Sequence, residues 1–289
     1  MDGKELARIV KERLKVQVEL LRAKGTTPKL ETIQVGEDGP SKIYLAAKHK
    51  AANEIGISTF NHSLKADSSE GAVISLISEL NSRHDVHALL LQMPLPAHLP
   101  AHKILSRILP EKDVDGLTPE NVSKLVYRQE SLIPCTPKGI MRLLRHYRIP
   151  LRGAHAVIIN RSMLVGKPLC HMLMAEDATV TMCHSYTRSL SELTRRADIV
   201  ISAVGRRPEF VLGADMVKEG AVVVDVAMNR VDEKKVVGDA DFLPVSQKAA
   251  FITPVPGGVG PMTVAMLLEN TVTAVIRQKD TAKTVMVTG

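Results

Sequence analysis

Four short apolar runs in the second half of this chain, 154–159, 178–183, 198–203 and 221–226, are set apart by helical patterns. A strand buried on both faces reads as a near-continuous run of Val, Ile and Ala, whereas a half-exposed strand alternates. The helical patterns lie at 166–175 and 190–196, with a shorter one near Asp215. Such alternation builds βαβ units, and these allow few arrangements: a parallel sheet with helices on both faces. A last buried run, 251–253, leads through Pro254-Val255-Pro256-Gly257-Gly258-Val259-Gly260-Pro261 into a final helix over 262–278.

The first half carries the same grammar. Leu6, Ile9, Val10 and Leu14 recur at helical spacing. A strand is expected over 29–35, then a turn over 36–39, and Pro40 stands where the first turn of a helix accepts proline. A helix over 71–80 precedes a buried strand over 86–91, with Gln92 at its carboxyl end. A helix over 137–147 bridges the halves. The 289 residues suit two α/β domains of ordinary size.

Composition narrows the function. The formal charge of +7 comes from basic residues spread along the chain, not gathered into an arm. With four Tyr, four Phe and no Trp there is no cluster for stacking bases, so no nucleic-acid partner is expected. Cys135, Cys170 and Cys183 form no CxxC pair, which excludes a zinc knuckle or disulfide framework and suits a reducing, cytoplasmic setting. The charged N-terminus has no apolar signal core, and no apolar run approaches ~20 residues, so no membrane span is expected.

Ser41-x-x-Tyr44-x-x-x-Lys48 sets a hydroxyl, a phenol and an amine on one helix face. Alone, a helical lysine beside a tyrosine is usually a solvated pair. Two further segments, Gln92-Met93-Pro94-Leu95-Pro96 and Lys112-Asp113-Val114-Asp115-Gly116, offer an amide and carboxylates, although aspartates beside a glycine are ordinary turn residues. An amine, a phenol, an amide and a carboxylate together suit proton transfer on a small polar ligand.

The first strand of the second half runs into Asn160-Arg161-Ser162-Met163-Leu164-Val165-Gly166-Lys167-Pro168. This is not GxGxxG, yet a loop between a strand and a helix N-terminus suits a phosphate. The next strand ends in Cys183-His184-Ser185 and lacks the acidic residue that would hold a ribose 2′-hydroxyl. Arg161, Ser185 and Arg188 suit a 2′-phosphate instead, which favours NADP over NAD. His184 by itself reads as a hydrogen-bonded structural histidine.

Taken in order, these segments resemble the methylenetetrahydrofolate dehydrogenase/cyclohydrolase family over nearly the whole chain. Thr253 to Thr263, Ile133-Pro134-Cys135-Thr136-Pro137 and Val237-Gly238-Asp239 add to the likeness. The resemblance implies two α/β domains flanking a cleft, the second a Rossmann-like parallel sheet with helices on both faces. It assigns 1–119 and 264–289 to a folate-binding catalytic domain and 120–263 to an NADP-binding domain. It implies oxidation of 5,10-methylenetetrahydrofolate with NADP, then hydrolysis of the methenyl product to 10-formyltetrahydrofolate. By the same resemblance Lys48 is the key catalytic group, aided by Tyr44, Gln92 and Asp115. Ser41, Leu91, Met93, Pro256, Gly257, Gly258 and Thr263 join them around tetrahydrofolate. Asn160, Arg161, Ser162, Gly166, Pro168, His184, Ser185 and Met228 fall to the cofactor. A homodimer is expected. The sequence departs from the family at Asn160, where glycine is usual, and at Ala227 and Met228, which stand where the family usually has Gly-Ile. Asparagine at 160 is expected to supply positive φ. An oxidoreductase of similar shape, acting on another small substrate with NAD(P), is the alternative.

Overall fold

Asp2 starts the first helix: its Oδ1 accepts from the N–H groups of Lys4 (2.9 Å) and Glu5 (3.1 Å), satisfying two otherwise open donors. That helix is α1, Gly3–Ala23. The computed structural model describes residues 1–36, 39–232 and 235–288, without the side chains of residues 39–41, 43 and 281–288. The chain folds as two units. The first comprises Ile9–Cys135 with Leu267–Gly289, and the second Thr136–Met266 with Met1–Arg8.

In the first unit, β1 (Lys29–Val35), α2 (Gly39–Glu54), β2 (Ser58–Leu64), α3 (Glu70–Ser82) and β3 (Ala88–Leu91) follow in turn. The strands form a parallel sheet in the order β2-β1-β3. Ile33, Val73, Ile77, Leu80, Leu89 and Ile104 are fully buried together. Each contributes about 2 kcal/mol through apolar surface removed from water. Two short helices, α4 (Ala101–Leu105) and α5 (Pro119–Val126), follow. Asp113 bridges to Leu89 of β3, so the segment 112–114 runs beside that strand.

The sequence reading missed β2, α4 and α5. Strand β2 is polar and half-exposed because it lies at the sheet edge, so it lacks the buried-run signal. Residues 120–135, assigned from the sequence to the dinucleotide domain, group with the first unit. Asp113 Oδ2 accepts from Thr118 N (2.7 Å) and Asn121 Nδ2 (3.0 Å), and Asn270 Nδ2 donates to the carbonyls of Val114 and Ile133 (both 2.8 Å).

The second unit follows the expected alternation. It holds α6 (Cys135–His146, its first residue in the first unit), β4 (His155–Ile159), α7 (Gly166–Ala175), β5 (Thr179–Cys183), α8 (Leu190–Arg195), β6 (Ile199–Ser202) and β7 (Val222–Asp225). The pair β8 (Asn229–Arg230) and β9 (Val236–Val237), helix α9 (Phe242–Lys248) and β10 (Phe251–Ile252) complete it. The five-stranded sheet is parallel throughout in the order β10-β7-β6-β4-β5. From β4 the chain moves to β5 on one side, then crosses to β6 on the other. The carboxyl ends of β4 and β6 therefore form a topological switch point, where open α/β sheets take ligands.

Helix α10, Val259–Thr288, passes from the second unit to the first. Its stretch Val259–Asp280 is long and apolar enough to cross a bilayer, contrary to the expectation that no such run exists. Met262, Met266, Leu268, Val272 and Val275 are nevertheless buried within the protein, as in a core helix.

Candidate active site

Helix α2 presents Tyr44 and Lys48 one turn apart. Lys48 is 8% exposed, and its Nζ donates to Gln92 Oε1 at 3.1 Å while standing 5.9 Å from the centre of the Tyr44 ring. Gln92 is held from both sides: its N–H donates to Ile33 O (2.8 Å) and its Nε2 to Met93 O (2.6 Å). Its side-chain oxygen is thus the end left for the amine. A neutral amide orients an amine without adding charge beside it. Burial pushes the Tyr44 phenol up, so it is a proton-bearing group at neutral pH.

Asp115 is half-buried just past the segment paired with β3, and among the described residues its carboxylate makes no protein hydrogen bond. Leu91, expected at the ligand, is 2% exposed and packs into the core cluster. Met93 supplies its carbonyl to Gln92. The side chain of Ser41 lies outside the described residues. Lys112 and Asp113 are scaffold: the Lys112 ammonium donates to the carbonyls of Leu80, Asn81 and Arg83 (3.2, 2.7 and 2.8 Å), and buried Asp113 anchors the start of α5. Gly116 sits at φ +65°, and a Cβ there would fall 2.6 Å from Leu132 O.

The sequence reading overlooked His49. Its Nε2 lies 2.9 Å from Thr32 Oγ1, and burial together with the Lys48 charge lowers its pKa, leaving a neutral ring next to Lys48 on α2.

In the second unit the loop after β4 is built differently from the expectation. Asn160 is not among the residues with positive φ. Its side chain shapes the turn instead: Nδ2 donates to Ala203 O (2.7 Å), and Oδ1 accepts from the N–H groups of Ser162 (2.8 Å) and Gly166 (3.1 Å). Ser162 Oγ accepts from Val165 N at 3.1 Å. A Cβ on Gly166 would lie 2.2 Å from Asn160 O, so only glycine fits there. Pro168 is buried in the first turn of α7.

Arg161 is exposed, with its guanidinium carbon 5.7 Å from the centre of the exposed Tyr186 ring and no carboxylate partner among the described residues. Tyr186, next to Ser185, carries no motif and was not anticipated. His184 takes the structural part: its Nδ1 accepts from Tyr186 N at 3.2 Å. The ends of β4 and β5 therefore offer a guanidinium and a hydroxyl without an acid, a set that fits a 2′-phosphate. Met228 is 49% exposed after β7.

Pro256, Gly257, Gly258 and Thr263 also lie in the second unit. Gly257, at φ +112°, offers its carbonyl to the N–H groups of Gly3 (3.0 Å) and Lys4 (2.9 Å). A Cβ on Gly3 would fall 1.8 Å from Gly258 O. The backbone of Gly257 and Gly258 is thus closely approached by the start of α1. Thr263 Oγ1 pairs with Thr136 Oγ1 at 3.0 Å.

Two family models match the chain: tetrahydrofolate dehydrogenase/cyclohydrolase, catalytic domain, over residues 1–115, and the NAD(P)-binding domain of the same family over residues 134–279. The bifunctional protein FolD of Cenarchaeum symbiosum is 54% identical over 95% of this chain and 97% of its own. The crystal structure of the bifunctional FolD dehydrogenase/cyclohydrolase of Campylobacter jejuni superposes with a TM-score of 0.92 at 46% identity, covering 96% of this chain and 98% of that one. The Trypanosoma brucei enzyme, solved with NADP cofactor and inhibitor, gives a TM-score of 0.92 at 38% identity over 96% and 97%. Sequence order, sheet topology and these likenesses agree, and the chain belongs to the tetrahydrofolate dehydrogenase/cyclohydrolase family.

Proposed function

We propose that this protein oxidises 5,10-methylenetetrahydrofolate to the methenyl compound with NADP and then hydrolyses that cation to 10-formyltetrahydrofolate. The hydrogen bond from buried Lys48 to half-buried Gln92, beside Tyr44, carries the reading. In hydrolysis, water adds to the methenyl carbon, one ring C–N bond breaks, and one proton is released. Lys48 Nζ is the group that moves that proton, with Gln92 Oε1 holding it in line. Tyr44 lies against the folate, and the Asp115 carboxylate accepts from the amino-pyrimidine edge of the pterin.

The second unit holds the dinucleotide. NADP, when bound, accepts hydride from the methylene carbon, which requires no protein nucleophile. Arg161 and Ser185 receive the 2′-phosphate, and the loop from Asn160 to Gly166 lies along the diphosphate. The relative solved with NADP supports this cofactor. The protein works as a homodimer in the cytoplasm. Exposed Phe242, Leu243 and Phe251 on the second unit support an apolar interface, and the absence of a disulfide among Cys135, Cys170 and Cys183 supports a reducing compartment.

Purified protein with 5,10-methylenetetrahydrofolate is expected to develop methenyl absorbance with NADP, and more slowly with NAD. Lys48→Met is expected to lower methenyl hydrolysis by at least ~100-fold while NADP binding persists. No methenyl or formyl product with either nucleotide would defeat the assignment.

A further inference from the structure

Two carboxylates, Asp225 and Asp239, are buried side by side in the second unit, and among the described residues neither has a cationic partner. Every group that touches them donates. Asp239 Oδ2 accepts from Ser202 Oγ (2.6 Å) and Val204 N (2.8 Å), and its Oδ1 accepts from Gly205 N (3.0 Å) and Asn229 Nδ2 (3.2 Å). Asp225 Oδ1 accepts from Ala227 N (3.2 Å) and Asp239 N (3.0 Å), and its Oδ2 accepts from Ala240 N (2.7 Å). Asn229 in turn accepts from Arg207 N at 2.9 Å.

Apart from the 239–240 backbone, these bonds fall on two segments: 202–205, the end of β6 and the loop after it, and 227–229, which runs from β7 into β8. Both lie at carboxyl ends of the parallel sheet, the side on which such sheets take ligands. Met228 stands between two pinned residues, with Ala227 on Asp225 and Asn229 on Asp239, and its side chain is 49% exposed. A buried carboxylate without a cation is a poor device for stability alone, since apolar packing of the same volume serves better. Four donors converging on Asp239 from the end of β6, the loop after it and Asn229 at the start of β8 fix a shape.

We propose that Asp239 is a positioning residue for the dinucleotide, one carboxylate setting both 203–205 and the Met228 segment. The proposal rests on the reading that the second unit binds NADP. Asp239→Asn turns an amide N–H toward donors, so the loops separate. The dissociation constant for NADP, followed by titration of the fluorescence of NADPH and its displacement, is expected to rise at least ~10-fold. NAD is expected to weaken by the same factor, because Arg161 and Ser185 are untouched. The KM for NADP is expected to rise by more than kcat falls, and methenyl hydrolysis is expected to stay within ~2-fold.

Asn229→Ala removes one donor from Asp239 and is expected to raise the constant ~3-fold, in the same direction. Unchanged nucleotide binding in a folded Asp239→Asn protein that still hydrolyses the methenyl compound would overturn the proposal and leave the network as scaffold. If that variant does not fold, unchanged binding by Asn229→Ala decides against it. Failure of the wild-type protein to bind either nucleotide would instead sink the reading on which the proposal rests.

Discussion

Replacing Asp225 by asparagine tests whether the buried carboxylate network has the electrostatic character its geometry implies. Burial, with the nearby Asp239 charge adding to it, pushes the Asp225 carboxyl from its ordinary 3.8 up to about 6, against the opposing pull of three backbone N–H groups. The native state then holds this proton more tightly than the unfolded chain does. Its contribution to stability is therefore full below the unfolded value and is lost as pH rises through the folded one. With those two values, linkage gives a loss of about 2 kcal/mol between about pH 4.5 and about pH 7 from this group alone. Asparagine cannot titrate, so Asp225→Asn should lack that part of the slope, whatever its absolute stability. Urea denaturation followed by circular dichroism, run on both proteins across this range, isolates the difference because the other titrating groups are common to both. Parallel stability profiles, or a steeper fall in the variant, would refute the reasoning and place the carboxyl in the ordinary acidic range.

Gln92→Ala removes the acceptor that holds Lys48 Nζ at 3.1 Å, and is expected to reduce methenyl hydrolysis ~10-fold or more with little change in NADP binding, measured by stopped-flow loss of methenyl absorbance. Arg161→Gln removes the guanidinium that the end of β4 offers to a 2′-phosphate; the KM for NADP should rise ~10-fold or more while that for NAD stays level. Gly238→Ala places a methyl 1.9 Å from Asp225 Oδ2, and thermal melting should show a loss of at least ~2 kcal/mol, with the transition moved down by several degrees.

Strands buried on both faces announce themselves, and for that reason β4, β6 and β7 stand where the apolar runs placed them. The edge strand β2 did not, because Ser58, Asn61, His62 and Ser63 supply backbone pairing without an apolar signature. The Tyr44–Lys48 stripe was legible because helical spacing is local. Its partner Gln92 was legible as an amide at the end of a buried strand, and as a partner of Lys48 only through the family resemblance. Asp225 and Asp239 were not legible as a pair: fourteen positions separate them, and only the folded sheet brings the 238–240 backbone onto the end of β7. Nothing in the sequence distinguished Lys112, which ties down three carbonyls, from a lysine serving a ligand.

Asn160 shows how a departure from a family pattern can preserve shape by other means. Glycine in such a turn supplies conformational freedom. Here the backbone stays in the ordinary region, and the carboxamide spans the switch point from Ala203 O to the amides of Ser162 and Gly166. That bridge satisfies groups that would otherwise face the cofactor or water, so part of the loop's order is present before any ligand arrives. Order gained in advance reduces the entropy lost on binding, but a carboxamide oxygen on two amides leaves fewer donors for a phosphate. The guanidinium of Arg161, paired with no protein carboxylate among the described residues, is then the stronger donor this loop presents to an anion. Affinity for NADP in this protein should accordingly draw more on the 2′-phosphate than on the diphosphate.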